Sequence, residues 1–245
     1  CSIVFLTLRR LEEMRKPSVS FFCPAYNDEG NIRNTVLKVM ETLDRLAGDY
    51  DITIVEDGSP DDTARVADEL AAEFPRVGVI HNPRNLGYGG ALKTGFNAAR
   101  QFEVVAYTDG DGQYDFSEFE ELLRAWDGES VVSAYRINRA DSLSRVIQTR
   151  TFGLFLRLLF GLRVKDVNCS MKLFPRKALD EIELESDSAF IDAEILIKLS
   201  RRGYRIVQVG VHHLPRLHGA ASGAKPRVVL STISDMLGQL FRRDR

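Results

Sequence analysis

Asp109 and Asp111 stand one residue apart in Thr108-Asp109-Gly110-Asp111-Gly112-Gln113-Tyr114-Asp115, directly after the apolar run Val104-Val105-Ala106-Tyr107. Carboxylates this close repel unless a cation lies between them or donors satisfy them. Hard oxygen ligands beside small glycines suit Mg²⁺ or Mn²⁺, which takes a few carboxylates and completes its shell with substrate oxygens. Asp-Gly pairs also make ordinary turns, so this segment alone reads equally as a loop. The elements that carry it decide between the two.

From Ser18 onward the chain alternates strand and helix patterns. Val19–Cys23, Ile52–Val55, Val77–Ile80 and Val104–Tyr107 are compact apolar runs of strand length. Between them, Asn31–Leu46 places Ile32, Val36, Val39, Met40, Leu43 and Leu46 at helical spacing, Asp61 can cap a helix running to Ala72, and a further helix spans about 91–100. Phe116–Trp126 reads as the next helix. This alternation predicts a mostly parallel α/β sheet covered on both faces. In such sheets ligands bind beyond the carboxyl ends of the strands.

Three further loops fall at those ends. Pro24-Ala25-Tyr26-Asn27-Asp28-Glu29 follows the first strand, Glu56-Asp57-Gly58-Ser59-Pro60-Asp61-Asp62 the second, and Asn82-Pro83-Arg84-Asn85-Leu86-Gly87-Tyr88-Gly89-Gly90 the third. Tyr26 could stack on a base and Asp57 accept a base N–H, while Arg84 and the glycine-rich turn could admit phosphate or ribose near a helix N-terminus. Each loop alone reads as an ordinary turn; four at consecutive strand ends argue for a site. There is no P-loop lysine motif, and Gly87-Tyr88-Gly89-Gly90 does not fit the dinucleotide fingerprint.

Composition narrows the class. The 245 residues carry 44% hydrophobic and 28% charged residues, as a soluble globular chain does. A formal charge of −2 argues against a general nucleic-acid binder. Cys1, Cys23 and Cys169 lack metal-type spacing and point to reduced thiols in a cytoplasmic setting. No stretch approaches the ~20 apolar residues of a membrane span. Residues 1–17 read as an N-terminal extension, with Met14 a candidate natural start, ahead of a single domain over 18–245.

The order PAYNDEGNI, VEDGSPDDT, NPRNLGYGGALKTGF, TDGDGQYD, RVKDVNCSMKLF and PRLHG strongly resembles glycosyltransferase family 2, and within it the polyprenyl-phosphate hexose synthases. The resemblance covers about Ser18 to Ser234. It implies a GT-A (Rossmann-like) fold with interfacial amphipathic helices, a nucleotide-sugar donor, Mg²⁺ or Mn²⁺, and a polyprenyl-phosphate acceptor at the cytoplasmic membrane face. By resemblance, Pro24, Tyr26 and Asp28 match base and ribose contacts, with Asp28 where glutamate is more usual. Asp57 matches the second acid of the usual Asp-Asp-Gly-Ser, and Glu56 replaces the first. Asp109, Gly110, Asp111 and Gln113 match the metal and diphosphate segment. Arg136 and Arg145 fall where the family grips the acceptor phosphate, and Arg216 matches a basic residue that reaches the donor diphosphate. Arginine suits these roles because its planar fork pairs bidentately with phosphate oxygens. Arg139 and Arg150 read as solvated surface. Two departures stand out: Cys169-Ser170-Met171-Lys172 replaces Ser-Gly-Phe-Arg, and the lysine often found after Pro-Arg-x-x-Gly is missing, with Lys225 at the wrong offset.

Phe152–Leu162 is apolar nearly all round and too short to span a bilayer, so it reads as a buried helix or one lying in the lipid interface. Peripheral membrane contact is the favoured reading. Arg227–Phe241 carries an apolar stripe with a basic flank, suited to the core, a partner or an anionic surface. His212 and His213 read as strand residues rather than metal ligands. Two other functions keep weight: a soluble glycosyltransferase with a small or saccharide acceptor, and a nucleotide-binding protein without sugar transfer.

Overall fold

The computed structural model describes residues 16–99, 101–137, 143–215 and 226–241, with the backbone alone for 143–145, 226–228 and 241. Four parallel strands lead: β1 (Ser18–Ala25), β2 (Asp49–Glu56), β3 (Val77–His81) and β4 (Val104–Tyr107). Three helices connect them: α1 (Ile32–Leu46), α2 (Thr63–Glu73) and α3 (Gly87–Ala98). A 3₁₀ turn at Phe116–Glu118 leads into α4 (Phe119–Ala125), followed by β5 (Val131–Ile137) and α5 (Leu143–Phe160). The rest of the chain adds β6 (Lys172–Pro175), α6 (Arg176–Asp180), α7 (Ile191–Arg201), β7 (Ile206–His212) and α8 (Pro226–Phe241).

The seven strands order as β3-β2-β1-β4-β6-β5-β7. The alternation read from sequence holds through β4. β6 then enters antiparallel to both β4 and β5, while β5 and β7 pair in parallel. All four β6 residues are buried, so their sequence carries no two-residue alternation to reveal them.

Side chains of alternate strand residues feed two separate cores. Phe21, Cys23, Ile52, Ile54 and Ala106 pack under α1, α2 and α4. Phe22, Val55, Val105, Tyr107 and Phe174 pack under α3, α6 and α7. On α1 the buried Ile32, Val36, Val39 and Leu43 lie three to four residues apart, which turns one stripe inward. Asp62 takes the cap position of α2 in place of the expected Asp61, whose carboxylate instead accepts the Thr63 N–H at 3.1 Å and its hydroxyl at 2.6 Å. α3 begins at Gly87, four residues earlier than its apolar spacing indicates, because glycines occupy its first turn.

α5 resolves the choice left by its all-round apolarity. Phe152, Leu156 and Phe160, four residues apart, face the second core, whereas Leu154, Phe155, Leu158 and Leu159 are exposed, Leu158 at 70%. α8 buries Met236 and exposes Leu230, Ile233 and Leu237. Its Asp235 accepts the Ser188 hydroxyl at 2.7 Å, fastening the helix to the loop before α7. No helix among the described residues is long and apolar enough to cross a membrane.

Candidate active site at the strand carboxyl ends

The loops after β1 and β2 are stitched together. Asp28 donates its N–H to the Thr63 hydroxyl at 2.8 Å, Asn27 to that of Ser59 at 3.3 Å, and Asp62 to the Glu29 carboxylate at 2.9 Å. Asn27 adopts φ 57°, a left-handed conformation that costs a non-glycine residue energy and is held here by its neighbours. Beside it the Tyr26 ring is 44% exposed, open to stacking. The Pro24 carbonyl accepts the Gly110 N–H at 3.2 Å, so the first loop abuts the Asp109–Asp111 segment.

Asp57 is buried and occupied. It accepts from Asn82 Nδ2 at 2.8 Å, the Leu86 N–H at 2.9 Å and the Gly87 N–H at 3.0 Å. Its carboxylate therefore anchors the start of α3, and a base N–H would have to share an oxygen with these donors. Burial pushes its carboxyl above the ordinary value against the pull of those donors. Gly58, at φ +65°, lets the second loop press on the Arg84–Asn85 backbone, where a Cβ would sit 2.7 Å away. Arg84 itself is exposed. Glu56, the departure from the usual pair of aspartates, accepts the Ser59 N–H at 2.5 Å and faces His81 Nδ1 at 3.3 Å.

At the end of β4, Asp109 presents a buried Oδ1 with no hydrogen-bond partner. Its carboxyl is pushed up to about 7, first by burial and then by the negative charges of Asp111 and Asp192. Asp111 lies 7% exposed, its Oδ1 accepting the Gln113 N–H at 3.1 Å. A partnerless buried oxygen beside a second carboxylate fits a divalent cation. Among the described residues no three Asp, Glu, His or Cys side chains gather into a metal cage. A cation here would thus need oxygens from outside that set, as a diphosphate provides. Gln113 donates Nε2 to the Leu214 carbonyl at 3.2 Å, so Oε1 is the atom it would turn to a cation.

Beneath this loop lies a polar cluster that sequence reasoning did not assemble. Lys172, fully buried, donates to Asp192 at 2.5 Å, to the Tyr107 hydroxyl at 3.0 Å and to the Cys169 carbonyl at 2.5 Å. Tyr107 also donates to Asp192 Oδ1, and Tyr88 to its Oδ2 at 3.1 Å. Lys172 stood out in the sequence as a departure. Asp192 had a weaker signal, an acid interrupting the apolar run Phe190–Ile197. Nearby, the Gly89 N–H reaches the Asp187 carbonyl at 3.2 Å. A Cβ on Gly89 would meet the Asp187 carbonyl carbon at 2.4 Å.

Arg136 and Asp166 form a buried pair, with Nε to Oδ2 at 2.6 Å and Nη2 to Oδ1 at 2.9 Å. Arg136 is thereby oriented by Asp166, 30 residues away. The side chain of Arg145 and the whole of Arg216 lie outside the described residues, as do Arg139 and Lys225. The structure thus brings Pro24, Asp28, Gly110, Asp109, Asp111 and Gln113 to one place, with Asp57 as a support behind α3.

These features define a candidate site at the carboxyl edge of an α/β sheet, and comparison with known proteins gives the family. The glycosyl transferase family 2 pattern matches residues 20–183, and the chain belongs to that family. It is 33% identical over 208 residues to glycosyltransferase AglD of Haloferax volcanii, covering 81% of this chain and 33% of AglD. It is 30% identical to the undecaprenyl-phosphate 4-deoxy-4-formamido-L-arabinose transferase of Pseudomonas fluorescens, over 89% of this chain and 63% of that one. Polyprenol monophosphomannose synthase of Mycolicibacterium smegmatis is 26% identical, with 86% and 84% covered. The chain therefore spans a third of the first relative and just under two thirds of the second. In fold it resembles glucosyl-3-phosphoglycerate synthase of Mycobacterium tuberculosis, with a TM-score of 0.71 at 20% identity, over 93% of this chain and 81% of that one. The fold is GT-A.

Proposed function

We propose that the chain transfers a hexose from a nucleoside-diphosphate sugar, GDP-mannose or UDP-glucose, to a polyprenyl phosphate at the cytoplasmic face of a membrane. The observation that carries this reading is the Asp109–Asp111 loop, with its partnerless buried oxygen at the carboxyl end of β4. The relatives named for undecaprenyl-phosphate and polyprenol acceptors support the lipid. The exposed apolar face of α5, which follows the Arg136 segment, supports its delivery from a membrane.

In this reading Tyr26 stacks on the base, and the stitched loops after β1 and β2 hold the nucleoside. Asp109, Asp111 and Gln113 would hold Mg²⁺ or Mn²⁺. The ion, when bound, supplies positive charge to the departing diphosphate. Arg136, oriented by Asp166, and Arg145 grip the acceptor phosphate. An acceptor phosphate oxygen, largely ionised at neutral pH since its second pKa is near ~6, attacks the anomeric carbon. The new C–O bond forms as the bond to the diphosphate breaks, and the nucleoside diphosphate leaves with the electron pair. In-line attack inverts the anomeric centre, and no dedicated general base is required.

The test is a panel of nucleotide sugars with Mn²⁺, scored by thermal shift and by transfer to polyprenyl phosphate in detergent or vesicles. One sugar nucleotide should stabilise the protein in a metal-dependent way and label the lipid. Transfer to a water-soluble acceptor alone would move the function to a soluble glycosyltransferase. Nucleotide binding with no transfer would end the enzymatic reading.

A further inference from the structure

The Lys172 cluster takes no part in the chemistry just described, yet it lies against the carboxylate loop. The β4–β6 ladder sets Lys172 opposite Tyr107, two residues before Asp109. Ser170, two residues before Lys172, accepts the Asp109 N–H on its hydroxyl at 3.3 Å. The cluster therefore touches Asp109 from both strands. Lys172 is fully buried and its partner Asp192 is 3% exposed, so neither reaches a substrate in solvent.

A buried ion pair is a weak source of stability, because desolvation offsets the attraction. Its more informative property is charge. Asp109, Asp111 and Asp192 put three carboxylates around one poorly solvated spot, and the field of Lys172 reaches Asp109, opposing the effect of its acidic neighbours. Charges interact strongly at such depth because water screens them little.

We propose that Lys172 is a resident counter-cation of the metal centre: it cancels the charge of Asp192, so that a free divalent ion meets the charge of Asp109 and Asp111 alone. This rests on the metal reading above, and it assigns Lys172 and Asp192 as positioning residues for that site. Two residues of one ion pair then have opposite effects on the ion. Loss of Lys172 leaves the site more negative and strengthens binding; loss of the Asp192 charge leaves Lys172 in excess and weakens it.

The experiment titrates Mn²⁺ alone into the purified protein, reading free ion by electron paramagnetic resonance, with circular dichroism to verify folding. Lys172→Met should bind Mn²⁺ about tenfold more tightly than the wild type, and Asp192→Asn about tenfold more weakly. The double variant Lys172→Met/Asp192→Asn and the charge-preserving Lys172→Arg should both return near the wild-type value. General damage to the site would weaken both single variants alike. If both shift the same way, or neither shifts, the inference is overturned. Should Lys172→Met not fold, Asp192→Asn is read against the charge-preserving Asp192→Glu: weaker binding in the first with wild-type binding in the second supports the counter-cation, and weaker binding in both or in neither refutes it. If Mn²⁺ binds none of these proteins even with a nucleoside diphosphate present, the metal reading falls and takes this inference with it; equal binding to all removes the inference alone.

Discussion

Gln113 and Leu214 hold each other twice: the Gln113 side-chain amide donates to the Leu214 carbonyl at 3.2 Å, and the Leu214 N–H donates to the Gln113 carbonyl at 2.8 Å. The carboxylate loop is thus tied to the segment after β7. Of these two bonds, Gln113→Ala removes the first. Unfolding in urea should show a loss of about 1 kcal/mol, the net worth of one such bond. If Oε1 also serves the cation, Mn²⁺ affinity should fall with it, and Gln113→Glu should recover affinity without recovering the Leu214 bond.

Asp111 is expected to matter for chemistry rather than for folding. Asp111→Asn should keep the wild-type melting temperature within a few degrees while transfer falls at least a hundredfold, in keeping with the several kcal/mol a catalytic ion provides. Near-wild-type turnover that still requires metal would refute the assignment.

Much of this site was legible because its parts are local. The strand-then-turn pattern around Val104–Asp111 and the positions of the first four strands along the chain depend on residues close in sequence. What stayed hidden is long-range. Asp57 reads as a base contact from its own loop, which gives no sign of the Leu86 and Gly87 donors, some 30 residues on, that also hold its carboxylate. Lys172 and Asp192 are 20 residues apart, and Tyr107 and Asp192 are 85 apart. No periodicity encodes such meetings; the antiparallel entry of β6 creates them, and β6 is too short and too uniformly buried to announce itself.

The Arg136–Asp166 pair predicts a stability effect alongside a kinetic one. Asp166→Ala takes the paired carboxylate from a buried guanidinium and should destabilise the protein by about 3–5 kcal/mol in denaturant unfolding. Asp166→Asn keeps the shape and should cost less stability while raising the Michaelis constant for polyprenyl phosphate more than that for the donor. An equal rise in both would place Arg136 away from the acceptor.

His81 should lend the fold a pH dependence. Its pKa is raised, chiefly by its hydrogen bond to Asp68 at 2.9 Å and also by Glu56, while burial opposes the shift. A folded-state pKa above the unfolded value means that this contribution is complete below about pH 6.5 and is lost as pH rises through the folded pKa. His81→Gln should therefore lower the urea midpoint more at pH 6 than at pH 8.5. The ring is 42% exposed, so the effect should be modest.

Leu158 tests the proposed lipid contact of α5 without touching the core. At 70% exposure, its replacement in Leu158→Glu should leave stability within about 0.5 kcal/mol of wild type. Sedimentation with anionic vesicles should drop, and the Michaelis constant for lipid-embedded acceptor should rise. Leu156→Ala, which strikes a residue 1% exposed, should instead destabilise the fold by about 2–5 kcal/mol. Unchanged vesicle binding in Leu158→Glu would mean this face serves something other than lipid.

The seam between Gly89 and Asp187 bears on how such a site can change over time. Helix and loop meet there with a single hydrogen atom between Cα and the opposing backbone, because the nearest atoms lie 2.4–2.7 Å from where any Cβ would stand. No other amino acid fits that position without prising the two apart. Drift toward new substrates must therefore work through side chains flanking the seam, such as the ion-paired Lys93 and Asp187, while the seam itself stays closed to substitution.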